Sequence, residues 1–225
     1  MFIAGVDDAG RGCVIGPLVI AGVLVDEKGV KKLEKIGVKD SKILSPETRR
    51  RLYNCISNIA VKTYVIKIPP KEIDKVVFFG GKLRKLNWLE AKIMAEVISR
   101  LKPDIVYVDA SDVSVERFKE NIKCMLNFEV KIISEHNADT KYPIVSAASI
   151  IAKVERDREI EELREIYGDF GSGYPSDQRT INFLIEWIKI HREFPDFVRK
   201  SWKTAKEIIS KYSRGKQTKL YGNEI

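Results

Sequence analysis

The sequence predicts an α/β fold: a core of mixed strands and helices, with a helical lobe appended at the C-terminal end. Three observations predict it. Short apolar runs bounded by turn residues fill the first half. Long stretches of helical spacing dominate the second. Two of the apolar runs end in aspartate, as buried strands do when they deliver a polar group to the edge of a sheet.

The elements follow in order. Residues 2–6, Phe-Ile-Ala-Gly-Val, read as a buried strand ending at Asp7-Asp8. Residues 18–25 form a second apolar run after the breaker Gly16-Pro17, and residues 61–68 a third. Between these two, Ser45-Pro46-Glu47 is a helix start, a capping serine with proline at the first helical position, and it leads into a helix over 48–59. Residues 84–101 place Leu86, Leu89, Ile93, Val97 and Leu101 on one helical face, and Pro103 ends them. Residues 105–108 make a short strand ending in Asp109, and 128–133 alternate as a further strand. Pro143 opens a long helix over 144–167, with Ser146, Ala147, Ala148 and Ser149 allowing close approach in its first turns. Helices over 177–191 and 196–211 complete the chain, separated by Phe194-Pro195. Residues 1–167 are read as the α/β core and 168–212 as the helical lobe. Residues 213–225, polar and without periodicity, are expected to be a mobile tail.

The 225 residues are 44% hydrophobic and 32% charged, enough for a core beneath a densely charged surface. Lys, Glu and Arg dominate that charge, a pattern found in heat-adapted proteins. The net charge of +8 favours a polyanionic partner. Three scattered cysteines without a C-x-x-C pair, no N-terminal signal and no apolar run of membrane-spanning length predict a reduced, cytoplasmic protein. Several chemistries are excluded. Gly10-x-Gly12-x-x-x-Gly16 misses the dinucleotide fingerprint, and no Lys-Ser/Thr follows for a P-loop. Only two histidines are present, neither beside a nucleophile motif, and no Cys/His spacing suits zinc.

What remains is acidic. Asp7 and Asp8 end one buried run and Asp109 ends another; Asp139 precedes the long helix. Singly, Asp109 and Asp139 would serve equally well as turn or capping residues. Together they are candidates for a cation site, and oxygen donors point to Mg²⁺ or Mn²⁺. Gly10 and Gly12 let the backbone approach a ligand, and Arg11 between them suits phosphate. Asp8 poses a geometric question, because adjacent strand residues face opposite sides of a sheet. It shares a site with Asp7 only if the strand ends or bulges there.

These residues resemble the ribonuclease HII family, in its archaeal branch. Asp7-Asp8-Ala9-Gly10-Arg11-Gly12 with Gly16-Pro17 is similar to the family's opening signature. Asp40-Ser41-Lys42 matches its D-S-K motif, and Asn87 with Glu90 its N-x-x-E. Ala138-Asp139, Tyr142-Pro143, the run from Val145 to Val154 and Arg156-Asp157 match its longest motif. Gly171-Ser172-Gly173-Tyr174-Pro175-Ser176-Asp177 matches its S-G-Y-P-x-D loop. The resemblance spans roughly residues 1–205, in order and at compatible spacing.

The resemblance implies an RNase H-like mixed five-stranded sheet flanked by helices. It implies a metal-dependent endonuclease that cuts the RNA strand of RNA–DNA hybrids, and 5′ of ribonucleotides embedded in duplex DNA, by two-metal catalysis with Mg²⁺ or Mn²⁺. The products would carry 5′-phosphate and 3′-hydroxyl ends. The metal-binding and catalytic carboxylates would be Asp7, Asp8, Asp109 and Asp139. Gly10, Arg11 and Gly12 would meet the ribose 2′-hydroxyl mainly through backbone groups, Tyr174 would pack on the next sugar, and Lys42 and Asn87 would contact substrate. Lys200, Lys203 and Lys206 would hold the nucleic-acid backbone, or simply form a solvated face. A monomer is expected. Archaeal relatives can end in a sliding-clamp-binding peptide; here Gln217 and Leu220 keep its spacing, but Asn223-Glu224 replace its aromatic pair, so the motif is not intact. Three positions depart from the family pattern: Asp8 in place of Glu, Cys13 in place of Pro, and Asn137 in place of Lys. The shorter Asp8 motivates an alternative, a hybrid-binding module with weakened or lost catalysis.

Overall fold

The computed structural model describes residues 1–38, 44–79 and 86–212. Lys42 with its D-S-K motif, the first residues of the predicted helix 84–101, and the tail 213–225 lie outside the described residues.

Five strands form one mixed sheet: β1 (Phe2–Ala9), β2 (Leu18–Asp26), β3 (Lys62–Ile68), β4 (Ile105–Asp109) and β5 (Lys131–Glu135), in the order β3-β2-β1-β4-β5. β2 runs antiparallel to both β1 and β3, whereas β4 lies parallel to β1 and β5 parallel to β4. The helices are α1 (Glu27–Lys35), α2 (Pro46–Ile59), α3 (Pro70–Phe79), α4 (Leu86–Leu101), α5 (Val115–Lys123), α6 (Ala138–Lys141), α7 (Pro143–Tyr167), α8 (Gln178–His191) and α9 (Lys203–Tyr212).

Strand parity sorts β1 between two cores. Ala4 and Val6 face α4 and α5, packing with Met94, Ile98 and Phe118. Ile3 and Ala9 face α7, α1 and α2, packing with Val145, Leu33 and Ile56. Helices cover both faces, so the central strands read as continuous apolar runs rather than alternating ones. Gly5 allows the closest approach. A Cβ there would lie 2.3 Å from the carbonyl oxygen of Ile144, so α7 rests directly on the backbone of β1. The small residues Ser146 to Ser149 are all buried in this contact, as their size predicts.

A third core belongs to the lobe. Phe170, Leu184, Ile188, Phe197 and Ile208 pack together, but they close on Val14 and Ile15, from the link between β1 and β2, and on Ile160 of α7. The lobe therefore grips the segment that follows the acidic pair.

Several elements differ from the sequence expectation. β1 continues through Asp8 to Ala9, because β2 keeps pairing with it to the end. β5 spans Lys131–Glu135 rather than 128–133; Phe128 and Val130 instead pack against the first core from outside the strand. The last helix begins at Lys203, not at 196. The preceding residues do other work: Val198 bridges to Ile15, and Arg199 N–H donates to the Val14 carbonyl. Helices α1, α3, α5 and α6 were not anticipated. No helix among the described residues is long and apolar enough to cross a membrane.

Candidate active site

The β1–β4 ladder pairs Ile3 with Ile105 and ends at Val6 with Val108. One step further, the same register sets Asp7 opposite Asp109, and there the ladder stops. Crevices beyond the carboxyl ends of parallel strands are where α/β sheets bind ligands. The third acid arrives from α6. The Ala138 amide at the start of that one-turn helix donates to Asp109 Oδ1 at 3.0 Å, which ties the helix to β4 and carries Asp139 inward. One carboxylate oxygen from each of Asp7, Asp109 and Asp139 lies within 4.8 Å of the others. Asp7 and Asp139 are buried, Asp109 half-buried.

Burial, with repulsion from Asp8 and Asp109, pushes the Asp7 pKa well above the usual carboxylate range, although hydrogen bonds from Ser149 and the Asp8 amide oppose the rise. Carboxylates gathered this closely repel one another as anions, and a cation among them relieves that repulsion. The set fits a divalent cation: hard oxygen donors, convergent, with no sulfur or imidazole among them.

Asp8 stands beside this cluster and outside it. The strand neither ends nor bulges at the acidic pair, since Asp7 pairs with Ala21 and Asp8 with Ile20. Alternation therefore turns Asp7 toward the α7 side and Asp8 toward α4. The Asp8 carboxylate accepts from Ser111 Oγ at 3.3 Å. Burial lifts its pKa to about 6, Arg11 and Lys153 pull against that rise, and Asp109 adds to it.

Gly10 follows at φ 82°, where a Cβ would meet the Pro17 carbonyl at 2.7 Å, so only glycine makes this turn without strain. Arg11 then reaches back to α4: Nε donates to Glu90 Oε1 at 2.8 Å and Nη2 to Asn87 Oδ1 at 2.7 Å. Asn87, expected at the substrate, is bonded to Arg11 in this structure. Glu90 is wholly buried, and its second oxygen has no hydrogen-bond partner among the described residues. Burial and the nearby Asp8 raise its pKa to about 8 against the opposing charge of Arg11.

A cavity of about 410 Å³ opens over this loop, lined by Asp8, Gly10, Arg11, Gly12 and Tyr174. Arg49, Lys153 and Arg156 add positive charge to its walls, offset in part by Asp157, which pairs with Arg49 at 3.0 Å and with Arg156 at 3.5 Å. Tyr174 is held in place from two sides. Gly173 accepts from the amides of Val14 and Ile15 at 2.9 and 3.1 Å, and the Arg156 guanidinium lies 4.8 Å from the tyrosine ring centre. The structure thus brings Asp7, Asp109 and Asp139 together, and sets Asp8, the glycine loop and Tyr174 along an adjoining cleft.

Sequence reasoning missed Ser111, Arg49 and Arg199. Ser149 was read only as a small packing residue, and Lys153 and Arg156 stood inside a recognised motif but carried no assigned role. Arg199 had no signal at all, being one cation in a basic stretch; it is fully buried, and burial lowers its pKa to about 10.

A family model described as Ribonuclease HII matches residues 4–205. The chain belongs to the ribonuclease HII family. The ribonuclease HII of Pyrococcus abyssi is 48% identical over 220 residues, covering 97% of this chain and 96% of the relative. The crystal structure of ribonuclease H2 from Pyrococcus horikoshii OT3 superposes with a TM-score of 0.88 at 48% identity, over 96% of this chain and all of that one. A structure of the PCNA:RNase HII complex from Archaeoglobus fulgidus gives 0.81 at 48% identity, over 90% of this chain and 96% of the other. Relatives from thermophilic archaea accord with the charge-rich composition. As a ribonuclease HII the chain is a metal-dependent hydrolase acting on the RNA of RNA–DNA hybrids. The alternative of a binding module without catalysis is not favoured.

Proposed function

We propose that the chain hydrolyses phosphodiester bonds 5′ of ribonucleotides, in hybrids and in duplex DNA carrying a single ribonucleotide, with two divalent cations. The observation that carries this reading is the convergence of Asp7, Asp109 and Asp139 beside a basic cleft floored by the glycine loop. Asp7, Asp109 and Asp139 would hold the cation directly, and Asp8 would reach in from the opposite parity of the same strand. A bound divalent cation supplies Lewis-acid polarisation of the scissile phosphate and a lower pKa for the attacking water.

The chain's own groups do the rest. Ser149 and the Asp8 amide fix the Asp7 carboxylate by hydrogen bonds. Asn87 and Glu90 hold Arg11 at the cleft, where its charge meets phosphate. The backbone of Gly10 to Gly12 reads the 2′-hydroxyl, the group that separates RNA from DNA. Tyr174, stacked on Arg156, packs against the neighbouring sugar. The products are a 3′-hydroxyl and a 5′-phosphate. The scattered free thiols Cys13, Cys55 and Cys124 support a reducing, cytoplasmic setting. The clamp complex of the Archaeoglobus relative keeps a sliding clamp among the candidate partners, although Asn223-Glu224 stand where the peptide's aromatic pair belongs.

The test is cleavage of a DNA duplex with one embedded ribonucleotide, in Mg²⁺ and in Mn²⁺, beside an all-DNA control and an RNA–DNA hybrid. Incision 5′ of the ribonucleotide is expected. Cleavage of the hybrid alone would remove the single-ribonucleotide reading.

A further inference from the structure

Among the described residues Arg199 is the largest wholly buried side chain, and none of its nitrogens meets a carboxylate in an ion pair. Each of its three guanidinium nitrogens donates to a backbone carbonyl of a single segment. Nη2 donates to Gly10 O at 2.6 Å, Nη1 to Arg11 O at 2.8 Å and Nε to Gly16 O at 3.1 Å. The Arg199 amide donates to Val14 O at 2.8 Å, and the guanidinium lies 4.8 Å from the centre of the Trp202 ring. Asp74 and Glu90 act on the guanidinium electrostatically without pairing with it directly. A buried cation without a contacting counter-ion is costly, and hydrogen bonding makes it tolerable. An apolar side chain would fill this space without that cost, if space-filling were all that was needed.

Peptide geometry gives the arginine a purpose. In a trans peptide the C=O and the following N–H point in opposite directions in one plane. Holding the Gly10 carbonyl inward therefore turns the Arg11 amide outward, and holding the Arg11 carbonyl inward turns the Gly12 amide outward. Neither amide donates to any acceptor among the described residues, and both residues line the cleft. The Cys13 amide also donates to Gly10 O at 3.3 Å; Arg199 adds a second hold there and the hold on the Arg11 carbonyl, without which a loop containing Gly10 and Gly12 would have less resistance to a peptide flip.

We propose that Arg199 is a positioning residue: by fixing the Gly10 and Arg11 carbonyls from inside the lobe, it keeps the Arg11 and Gly12 amides turned toward the ribose 2′-oxygen. This rests on the reading of the glycine loop as the 2′-hydroxyl reader. It also assigns the lobe a part in telling RNA from DNA, since Arg199 lies between α8 and α9 and touches no substrate itself.

The experiment compares wild type, Arg199→Met and Arg199→Lys in the full-length chain with Mn²⁺. Single-turnover rates are measured on a duplex with one ribonucleotide and on the same duplex with a 2′-fluoro nucleotide, a poor acceptor, in its place. Circular dichroism and melting temperature establish folding. Wild type should favour the 2′-hydroxyl substrate. In Arg199→Met that preference should shrink by ~10- to 100-fold, the scale of a loop displaced by about 1 Å. Arg199→Lys, which keeps the buried charge with fewer well-aimed donors, should fall between; if the Met variant does not fold, the Lys variant decides. Folded variants that lose rate equally on both substrates, leaving the preference at its wild-type value, overturn the assignment to Arg199 alone. A wild type indifferent to the 2′ substituent overturns the reading of the loop, and the role of Arg199 with it.

Discussion

The acids of this site work against the fold that holds them. Asp7 is buried beside Asp8 and Asp109, and its raised pKa records the cost of ionising it there. Asp7→Asn removes that charge with almost no change of shape. It should abolish cleavage and raise the melting temperature of the metal-free protein, by about 2–4 °C for each kcal/mol of repulsion relieved. Thermal melts in EDTA check this; a lower melting temperature would mean that the Asp7 carboxylate is a net stabiliser. Asp8 is the chain's main departure from the family pattern, and its place beside the cluster rather than in it fits a side chain one methylene short. Asp8→Glu should raise the Mg²⁺-supported rate, while the natural protein should prefer Mn²⁺, which tolerates looser geometry. Site geometry off by about 1 Å can cost on the order of 100-fold in rate. If the substitution slows the reaction with both metals, the surrounding backbone has adapted to aspartate.

At the scale of elements, two contacts set the site. The first is β1 against α7 at Gly5. Gly5→Ala would drive a methyl group into the Ile144 carbonyl, and overpacking of this kind costs typically ~1–3 kcal/mol. Destabilisation in denaturant melts should come with a loss of rate, because α7 carries Ser149 and follows closely on α6, which holds Asp139. The second is the loop carrying Tyr174, stapled by Asp177, which accepts from the amides of Ser172 and Arg179 and caps α8. These bonds, the one from Ser172 foremost, hold the Asp177 carboxylate well below the usual range. Its folded pKa is depressed, so its stabilisation is fully present above the unfolded value of about 3.9 and is lost as pH falls toward the folded one. Asp177→Asn should therefore melt lower than wild type at pH 7, and the two should converge as the pH drops below about 3. A gap that persists in acid would assign the difference to packing rather than charge. The elements legible beforehand were those with strong local punctuation, such as Ser45-Pro46 before α2 and Pro143 before α7. Helices α1 and α5 were missed because each buries only two residues, Gly29 and Leu33 or Phe118 and Ile122, too few to make a clear apolar stripe. The start of α9 was misplaced because 196–202 serves the glycine loop, a tertiary demand that periodicity does not reveal.

At the scale of the whole molecule, one sheet edge gathers acids that lie far apart in the chain. Asp7 and Asp109 were legible as strand-end acids. Their meeting was not, because the parallel register that aligns them is set by long-range packing. Asp139 was legible as an acid before the long helix, though alone it would serve equally well as a cap; Arg199 was not legible at all, since it acts on backbone carbonyls that no side-chain pattern marks. The lobe is joined to this edge through Val14, Ile15 and Arg199, so the gathered acids, the glycine loop and the lobe form one connected assembly. The account stands on Asp7, Asp109 and Asp139 sharing a cation. A crystal of the full chain soaked in Mn²⁺ tests this directly through the anomalous signal. The expected result is a peak in coordinating distance of all three carboxylates, lost in Asp109→Asn. A peak elsewhere, or none at saturating Mn²⁺ with the three carboxylates still gathered, would contradict it.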